Sequence, residues 1–157
     1  MNNNRAGLLL LLCALSTTSI MPIKAQEKMS RTEINNGVVQ AEVREAFDGY
    51  NAALDAGDPA ALNAFFWNSP ETVRFGPTEN LFGYDEISSF RSTRWSAGPP
   101  RKLVRMVVTA FGNDVAVTSA VFERADTGAL SRQTQTWSRF AEGWRIVAAH
   151  VSGISSR

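Results

Sequence analysis

The second half of the chain constrains the fold most, because it contains four successive β-strand patterns with very little chain between them. Apolar and polar side chains alternate with a period of two in residues 101–111, 114–124, 130–140 and 144–153. These segments are separated by turn-forming pairs, namely Gly112-Asn113, Thr127-Gly128 and Glu142-Gly143. Connections this short join antiparallel neighbours. The pattern therefore predicts a four-stranded antiparallel meander.

The residues before the meander predict helices that can cover one face of a sheet. One apolar stripe recurs every three or four residues, with Asn35 or Asn36 as cap and Gly57 as stop, and it consists of Val39, Val43, Phe47, Tyr50 and Leu54. Two further helices are predicted, over residues 60–66 after Asp58-Pro59 and over residues 85–94. Short strand-like segments at residues 72–75 and 81–84 lie between them. The expected fold class is α+β, a curved antiparallel half-cone with helices on its concave face and a pocket between the two layers.

The N-terminus is typical of an export signal. A polar start with Arg5 precedes an apolar run from Ala6 to Leu15, which is too short for a membrane span. We predict a signal peptide over residues 1–25, a polar lead-in over 26–33 and a single domain over 34–153. Cleavage after Ala25 lowers the formal net charge from +1 to −1. The expected location is the periplasm or the medium.

Composition excludes several functional classes. The chain has 16 Lys plus Arg against 15 Asp plus Glu, so it lacks the basic excess of nucleic-acid-binding and membrane-surface proteins. With one His and one Cys it cannot build a zinc site from those residues or a catalytic triad with a His to spare. We therefore expect no metal and no cofactor, and a chemistry that uses Tyr, Arg, carboxylates or the single His.

The last strand predicts a homodimer. Strict alternation puts Trp144, Ile146, Ala148, His150 and Ser152 on one face and Arg145, Val147, Ala149 and Val151 on the other. Both faces are largely apolar, which indicates helices on one side and a second subunit on the outer side of the sheet.

The register of the last hairpin stays open at this level. A two-residue turn at Glu142-Gly143 pairs Trp137 with Ala148 and Gln135 with His150. A three-residue loop instead places Thr134 opposite His150.

Four segments together resemble the AtzH-like group of the SnoaL-like, nuclear transport factor 2-like superfamily, which has a cystatin-like fold. They are T-V-R-F-G-P-T-E-N-L-F-G from Thr72, S-F-R-S-T-R from Ser89, R-Q-T-Q-T-W from Arg132 and G-W-R-I-V-A-A-H-V-S from Gly143. The resemblance implies the same α+β cone, usually dimeric, and an activity on small ureido-carboxylates like that of a decarboxylating amidohydrolase in the catabolism of nitrogen compounds. The export signal departs from the cytoplasmic pattern of most members.

The resemblance and the residue pattern indicate the same two catalytic candidates. Tyr50 lies on the buried helix stripe and matches the helix Tyr of the family, and Arg74 matches the Arg of the V-R-F-G motif. An N-carboxylated urea needs fixed cations to orient it and a donor that protonates the nitrogen that leaves. We assign Arg74 to the carboxylate and Tyr50 to the proton, although a structural Tyr bonded to the backbone is equally compatible with the pattern.

Further side chains are candidates for substrate binding. Arg91 and Arg94 lie one helical turn apart, where they could hold a second carboxylate at the pocket rim. The remaining candidates for binding a small anionic molecule are Asn80, Gln133, Gln135, Trp137 and His150. Glu79 could simply pair with Arg74, and Arg101, Lys102 and Arg105 are interpreted as a solvated start of a strand.

Two alternative functions remain at this level. A domain that is exported, binds a small ligand and performs no turnover fits the signal peptide. An isomerase or dehydratase on the same cone needs a buried carboxylate, for which the strand faces offer only Glu123 and Asp126.

Overall fold

The computed structural model describes residues 33–93 and 98–154. The predicted signal peptide, nearly all of the lead-in and Arg94 lie outside the described residues. Within these ranges no helix is both long enough and apolar enough to cross a lipid bilayer.

The first helix, α1, spans Gly37–Ala56 and has the ends that the sequence predicts. The Asn36 side chain accepts hydrogen bonds from the backbone N–H groups of Val38 and Val39. At the other end Gly57 adopts the left-handed conformation with φ 68°. The helix buries the predicted stripe, with the small Ala53 rather than Leu54 as its last buried residue: Val39, Val43, Phe47, Tyr50 and Ala53.

Two short helices and two short strands follow. Helix α2 spans Pro59–Ala64, with the Asp58 side chain accepting from the Ala61 N–H, and helix α3 spans Tyr84–Thr93. Strands β1 (Val73–Phe75) and β2 (Asn80–Phe82) form a hairpin between them. Helix α2 ends two residues before the predicted end, because Phe66 instead bridges to Ile146 of the sheet.

The meander is confirmed. Its strands are β3 (Arg101–Phe111), β4 (Val115–Arg124), β5 (Leu130–Phe140) and β6 (Gly143–Gly153). The complete sheet has six strands in the order β2-β1-β6-β5-β4-β3. The sequence pattern did not predict that β1 pairs in parallel with β6, and this pairing sets Arg74 beside Ala149.

The helices pack on one face of this sheet, so the α+β class is confirmed. Phe47 of α1 stacks on Phe122 of β4 with ring centroids 6.2 Å apart, and the Gln40 side chain donates to the backbone oxygen of Val108. The largest fully buried side chains include Phe47, Leu62, Trp137 and Ile146. The core therefore lies between α1, α2 and the inner face of the sheet.

The last hairpin contains a β-bulge that neither predicted register included. Phe140 pairs with Gly143, so the turn is Ala141-Glu142, one residue earlier than predicted. Trp137 lies opposite Ile146 and Thr136 opposite Ala148, which leaves Val147 as the extra residue. The prediction that Trp137 pairs with Ala148 is therefore wrong.

The bulge also corrects the prediction that His150 shares a face with Trp144. An extra residue reverses the alternation of side chains beyond it. Ala149 is consequently buried on the inner face, whereas His150 is exposed on the outer face opposite Thr134. That pairing is the one expected from a three-residue loop, but a bulge produces it here.

Candidate functional site

A pocket of about 320 Å³ opens between the helices and the inner face of the sheet. Its polar lining consists of Tyr50, Asp55, Arg74, Glu79, Arg101 and Gln133. Apolar walls are formed by Leu54, Pro77, Phe90, Pro99 and Val151. The pocket thus brings together Tyr50, Arg74 and Gln133, three of the residues that the sequence proposes for the site.

Tyr50 reaches the pocket from the buried stripe of α1. Its side chain is 4% exposed, and its ring meets the ring of Phe65 edge-on at 6.0 Å and that of Phe66 at 6.2 Å. These contacts hold the ring in one orientation. The hydroxyl group is therefore presented by a rigid helix packed on the core.

Arg74 enters from the middle residue of β1. Its pairing with Ala149 and Leu81 directs it to the inner face. The guanidinium lies 5.7 Å from the centroid of the Phe90 ring and forms an ion pair with Glu79 through Nη1. The expected pairing of Glu79 with Arg74 is thus confirmed.

The Glu79 carboxylate is held in place by several partners. It accepts from the Thr78 hydroxyl at 2.8 Å as well as from Arg74. Burial alone works to raise the pKa of the Glu79 carboxyl, but the hydrogen bonds from Arg74 and Thr78 outweigh it and hold the pKa below its ordinary value. Glu79 is therefore ionised and places a negative charge beside Arg74.

A glycine makes room for this ion pair. A Cβ built on Gly76 would lie 1.8 Å from a carboxylate oxygen of Glu79. Any other residue at position 76 would displace the carboxylate.

Arg101 lines the pocket, which corrects the interpretation of this residue as part of a solvated charge run. The guanidinium donates to Oδ1 of Asn51 at 3.0 Å and lies 4.4 Å from the centroid of the Phe122 ring. Burial lowers the pKa of the guanidinium. Lys102 and Arg105 are exposed as expected. The bulge at Val104 explains the difference, because Arg101 and Leu103 face inward before it and Met106 after it.

Gln133 contributes a buried side-chain amide to the pocket, and its hydrogen bonds are incomplete. It is 2% exposed, and its Oε1 accepts a long hydrogen bond of 3.5 Å from Nη1 of Arg101. Its Nε2 group has no hydrogen-bond partner among the described residues. Buried amide groups are rarely left unpaired, so this donor is available to a ligand in the pocket.

Arg91 is buried behind the pocket instead of lying at its rim, so the predicted rim position is wrong. The residue is 4% exposed, donates to Oδ1 of Asn63 at 2.8 Å and lies over the Phe66 ring at 4.4 Å. Burial lowers the pKa of Arg91 to about 10, and the nearby Tyr50 hydroxyl partly offsets this effect. The Arg91 guanidinium thus packs against Asn63 and Phe66 and does not reach the pocket entrance.

The other candidate residues lie away from the pocket lining. Asn80 is exposed at the start of β2, and His150 lines a depression on the outer face together with Val73 and Phe75. Gln135 and Trp137 are fully buried on the inner face, linked through Thr118, which accepts from Trp137 Nε1 at 3.1 Å and donates to Gln135 Oε1 at 3.3 Å.

Two carboxylates at the pocket also escaped the sequence analysis as reactive groups. Asp55 and Glu79 line the pocket, whereas the strand carboxylates Glu123 and Asp126 do not. Asp55 follows Leu54 at the end of the α1 stripe, a position that a helical projection could have placed near the opening. In the described part of the chain no group of three His, Cys, Asp or Glu side chains is arranged to hold a metal ion.

Comparisons with known proteins agree with this architecture. The family model described as AtzH-like matches residues 32–157. A protein of unknown function from Pectobacterium atrosepticum is 48% identical, with a TM-score of 0.74 over 78% of this chain and 95% of its own. A cystatin-like fold protein from Burkholderia xenovorans is 44% identical, with a TM-score of 0.76 over 80% of this chain and 99% of its own.

More distant structures share the fold alone. One is described as a putative ketosteroid isomerase from Parabacteroides distasonis, 17% identical with a TM-score of 0.59 over 69% of this chain and 85% of its own. A comparison with curated proteins found no match.

Proposed function

The chain belongs to the AtzH-like family, and on that premise we propose that it is a cofactor-independent hydrolase or lyase that acts on a small ureido-carboxylate. The family and the fold are those of small-molecule binding or catalysis. One observation carries the finer proposal: the phenol of Tyr50 and the guanidinium of Arg74, far apart in the chain, line the same small pocket.

The proposed chemistry uses these two groups in sequence. Arg74 holds the carboxylate attached to a urea nitrogen, using nitrogens other than the Nη1 that Glu79 occupies. When the bond between that nitrogen and the carboxyl carbon breaks, the electron pair goes to the nitrogen and carbon dioxide leaves. Tyr50 gives its proton to the nitrogen and regains one from water.

The far end of the ligand would lie against Arg101 and Gln133. A urea oxygen there can accept from the unpaired Nε2 of Gln133 and from Arg101. Leaving this donor unpaired costs about 1–3 kcal/mol, part of which a bound ligand would recover. The arrangement favours a compact planar molecule with acceptors at both ends.

Turnover of carboxylated ureas by the domain that starts at residue 26 tests the proposal, with release of carbon dioxide and formation of the decarboxylated urea as the readouts. We expect Tyr50→Phe and Arg74→Lys each to lower kcat/KM by at least about 100-fold, because each removes a group that acts in the transition state. Arg44→Met is the control, since Arg44 is an exposed residue of α1 that forms an ion pair with Asp48 of the same helix. An inactive wild type, or variants as active as wild type, would contradict the proposal.

A non-catalytic, exported ligand-binding domain is the second candidate. The observation that favours it is the ion pair between Arg74 and Glu79, which already neutralises the cation assigned to the substrate. Calorimetry with N-carbamoylglycine, a stable ureido-carboxylate, separates the two candidates: binding without turnover of any carboxylated urea supports this one. Amino-terminal sequencing of the protein recovered outside the cytoplasm tests export.

We also propose that two copies of the chain associate through the outer face of the sheet. Val107 there is 48% exposed and lines a depression together with Val121 and Thr134, with Arg105 and Arg132 also in its lining. Exposed apolar side chains on a continuous sheet face are typical of subunit contacts.

A further inference from the structure

A chain of side-chain hydrogen bonds crosses one wall of the pocket, from helix α1 to strand β5. The Asn51 amide donates through Nδ2 to the backbone oxygen of Phe47 at 2.8 Å. Its Oδ1 accepts from Nη2 of Arg101 at 3.0 Å, and Nη1 of Arg101 donates a longer bond of 3.5 Å to Oε1 of Gln133. The last group is Nε2 of Gln133, which is buried and has no hydrogen-bond partner among the described residues. The chain therefore ends in an available donor on a residue that lines the pocket.

The orientation of both amides in this chain follows from the groups that they contact. A backbone carbonyl only accepts hydrogen bonds, and a guanidinium only donates them. Asn51 lies between two such groups, so its nitrogen must face the Phe47 carbonyl and its oxygen must face Arg101. A flipped Gln133 amide would likewise turn its N–H groups toward the guanidinium of Arg101. The Nε2 group of Gln133 is therefore directed away from Arg101.

Helix α1 holds the Arg101 guanidinium in a second way as well. The guanidinium lies 4.4 Å from the centroid of the Phe122 ring, a distance at which a cation is attracted to an aromatic face. Phe47 of α1 stacks on that same ring with centroids 6.2 Å apart. The residue whose carbonyl accepts from Asn51 thus also packs against the ring beneath Arg101. The position of Arg101 is therefore set by α1 through both a hydrogen bond and aromatic packing.

We infer that Asn51 is a positioning residue, and that the Gln133 amide it orients through Arg101 selects a ligand oxygen over a ligand N–H group at this wall. The inference rests on the proposed function, in which a urea oxygen lies against Arg101 and Gln133. Asn51 is not among the residues that line the pocket, so it acts through Arg101 and not by touching the ligand. A ligand N–H group in place of the oxygen would face only donors, which leaves buried polar groups unpaired.

Calorimetry with two probes of nearly equal shape tests the selectivity. N-carbamoylglycine has a urea oxygen where N-amidinoglycine has a nitrogen that carries N–H donors. We expect wild type to bind N-carbamoylglycine at least about tenfold more tightly. Gln133→Met should weaken binding of N-carbamoylglycine about tenfold and change binding of N-amidinoglycine less than about threefold, since only the first probe accepts from the amide. Equal weakening of both probes, or a wild type that binds N-carbamoylglycine no more tightly than N-amidinoglycine, would overturn the inference.

A double-mutant cycle in binding tests the role of Asn51. We expect Asn51→Leu to weaken binding of N-carbamoylglycine about tenfold, and Asn51→Asp to stay within about threefold of wild type because it keeps an acceptor for Arg101. In the Gln133→Met background, Asn51→Leu should have less than about a threefold effect, since the amide that it positions is gone. Gln40→Met is the matched control, because Gln40 is an α1 amide that also donates to a backbone oxygen, that of Val108. Equal losses in both backgrounds would show that Asn51 has a merely structural role.

An NMR measurement follows the Gln133 amide without any ligand. Its nitrogen and proton signals can be assigned by their loss in Gln133→Met. We expect Asn51→Leu to shift these signals and Gln40→Met to leave them unchanged, and unshifted signals in folded N51L would contradict the role of Asn51. Failure of the proposed function would appear instead as absent turnover of carboxylated ureas by wild type while the coupling between Asn51 and Gln133 in binding persists. The two failures are therefore distinguishable.

Discussion

The two faces of the sheet differ in which side chains they bury and which they expose. The inner face contains Thr118, Gln133 and Gln135, all of them at most 2% exposed. The outer face instead exposes apolar side chains, with Val107 48% and Val115 41% accessible. These side chains are exceptions to partition by hydrophobicity, which the rest of the inner face follows with buried residues such as Phe122 and Ile146. The inner face therefore combines the apolar core with buried polar side chains, of which Gln133 lines the pocket, and the outer face carries exposed apolar side chains.

Adjacent residues of one strand occupy these two environments, which makes the comparison testable. In β4 the side chains of Thr118 and Ser119 point to opposite faces, the first fully buried and the second exposed. A change on one face can therefore be matched with a control change on the other face or at the surface.

The largest effect is expected from the inner core. Ile146 is fully buried and Val104 is 53% exposed at a bulge of β3. We expect Ile146→Ala to lower the free energy of unfolding by about 2–5 kcal/mol, since it leaves a cavity, and Val104→Ala to lower it by less than about 0.5 kcal/mol. Urea denaturation at one fixed protein concentration measures both. Similar losses for the two variants would contradict the assignment of the faces.

A substitution on the outer face should change the association of two copies and not the stability of the fold. If two copies meet there, Val107→Asp places a charge in the contact and raises the dissociation constant by at least about 100-fold, which corresponds to about 3 kcal/mol. Sedimentation equilibrium detects the change, and Lys102→Asp at the exposed start of β3 is the control. A wild type that sediments as a monomer would refute the proposed homodimer.

The pair Thr118 and Ser119 tests the buried hydrogen bonds. Thr118→Val keeps the shape of the side chain but leaves Trp137 Nε1 and Gln135 Oε1 without their shared partner. We expect a loss of about 1–3 kcal/mol from this change, against a change within about 0.5 kcal/mol for Ser119→Ala. Thermal unfolding followed by circular dichroism is sufficient, and a neutral Thr118→Val would mean that the network contributes nothing.

The smallest effect concerns the pH dependence of the ion pair at the pocket. The pKa of Glu79 is lowered in the folded state, so its contribution to stability is present above the unfolded-state pKa of about 4.3 and is lost as the pH falls through the folded value. We expect wild type to exceed Glu79→Gln in stability by about 1 kcal/mol at about pH 6, with a difference that shrinks below about pH 4. A stability difference that stays constant over this pH range would show that the ionisation of Glu79 is not linked to folding.

The comparison also shows which parts of the site could be predicted from sequence. Tyr50 could be placed because a helical stripe is a local property, and the ends of α1 follow from Asn36 and Gly57. Arg74 could be assigned only through its motif, since a three-residue strand has too few positions for a pattern to show its face. Gln133 followed from alternation in β5, because the bulge of the last hairpin inserts its extra residue in β6 and not in β5.

The errors have separate causes. His150 lies beyond the bulge at Val147, and a single extra residue exchanges the faces on its far side. Arg101 was grouped with Lys102 and Arg105 as one charge run, whereas alternation and the bulge at Val104 place Arg101 alone on the inner face. Arg91 was misplaced for a different reason, because helical spacing gives the direction of a side chain but not the helices that pack against it. Contacts with Asn63 of α2 and Phe66 bury it.

The sequence by itself determined the meander, the capped helices, the α+β class and the phenol and guanidinium that reach the pocket. Apart from Arg74, which the family motif indicated, these features depend on periodicity, turn residues and local hydrogen bonds, which act over a few neighbouring residues. Only the tertiary structure decided the parallel pairing of β1 with β6, the bulges and the partners of Glu79, Arg91 and Arg101. Those features depend on contacts between segments distant in the chain, where packing and the pairing of buried polar groups outweigh local preference.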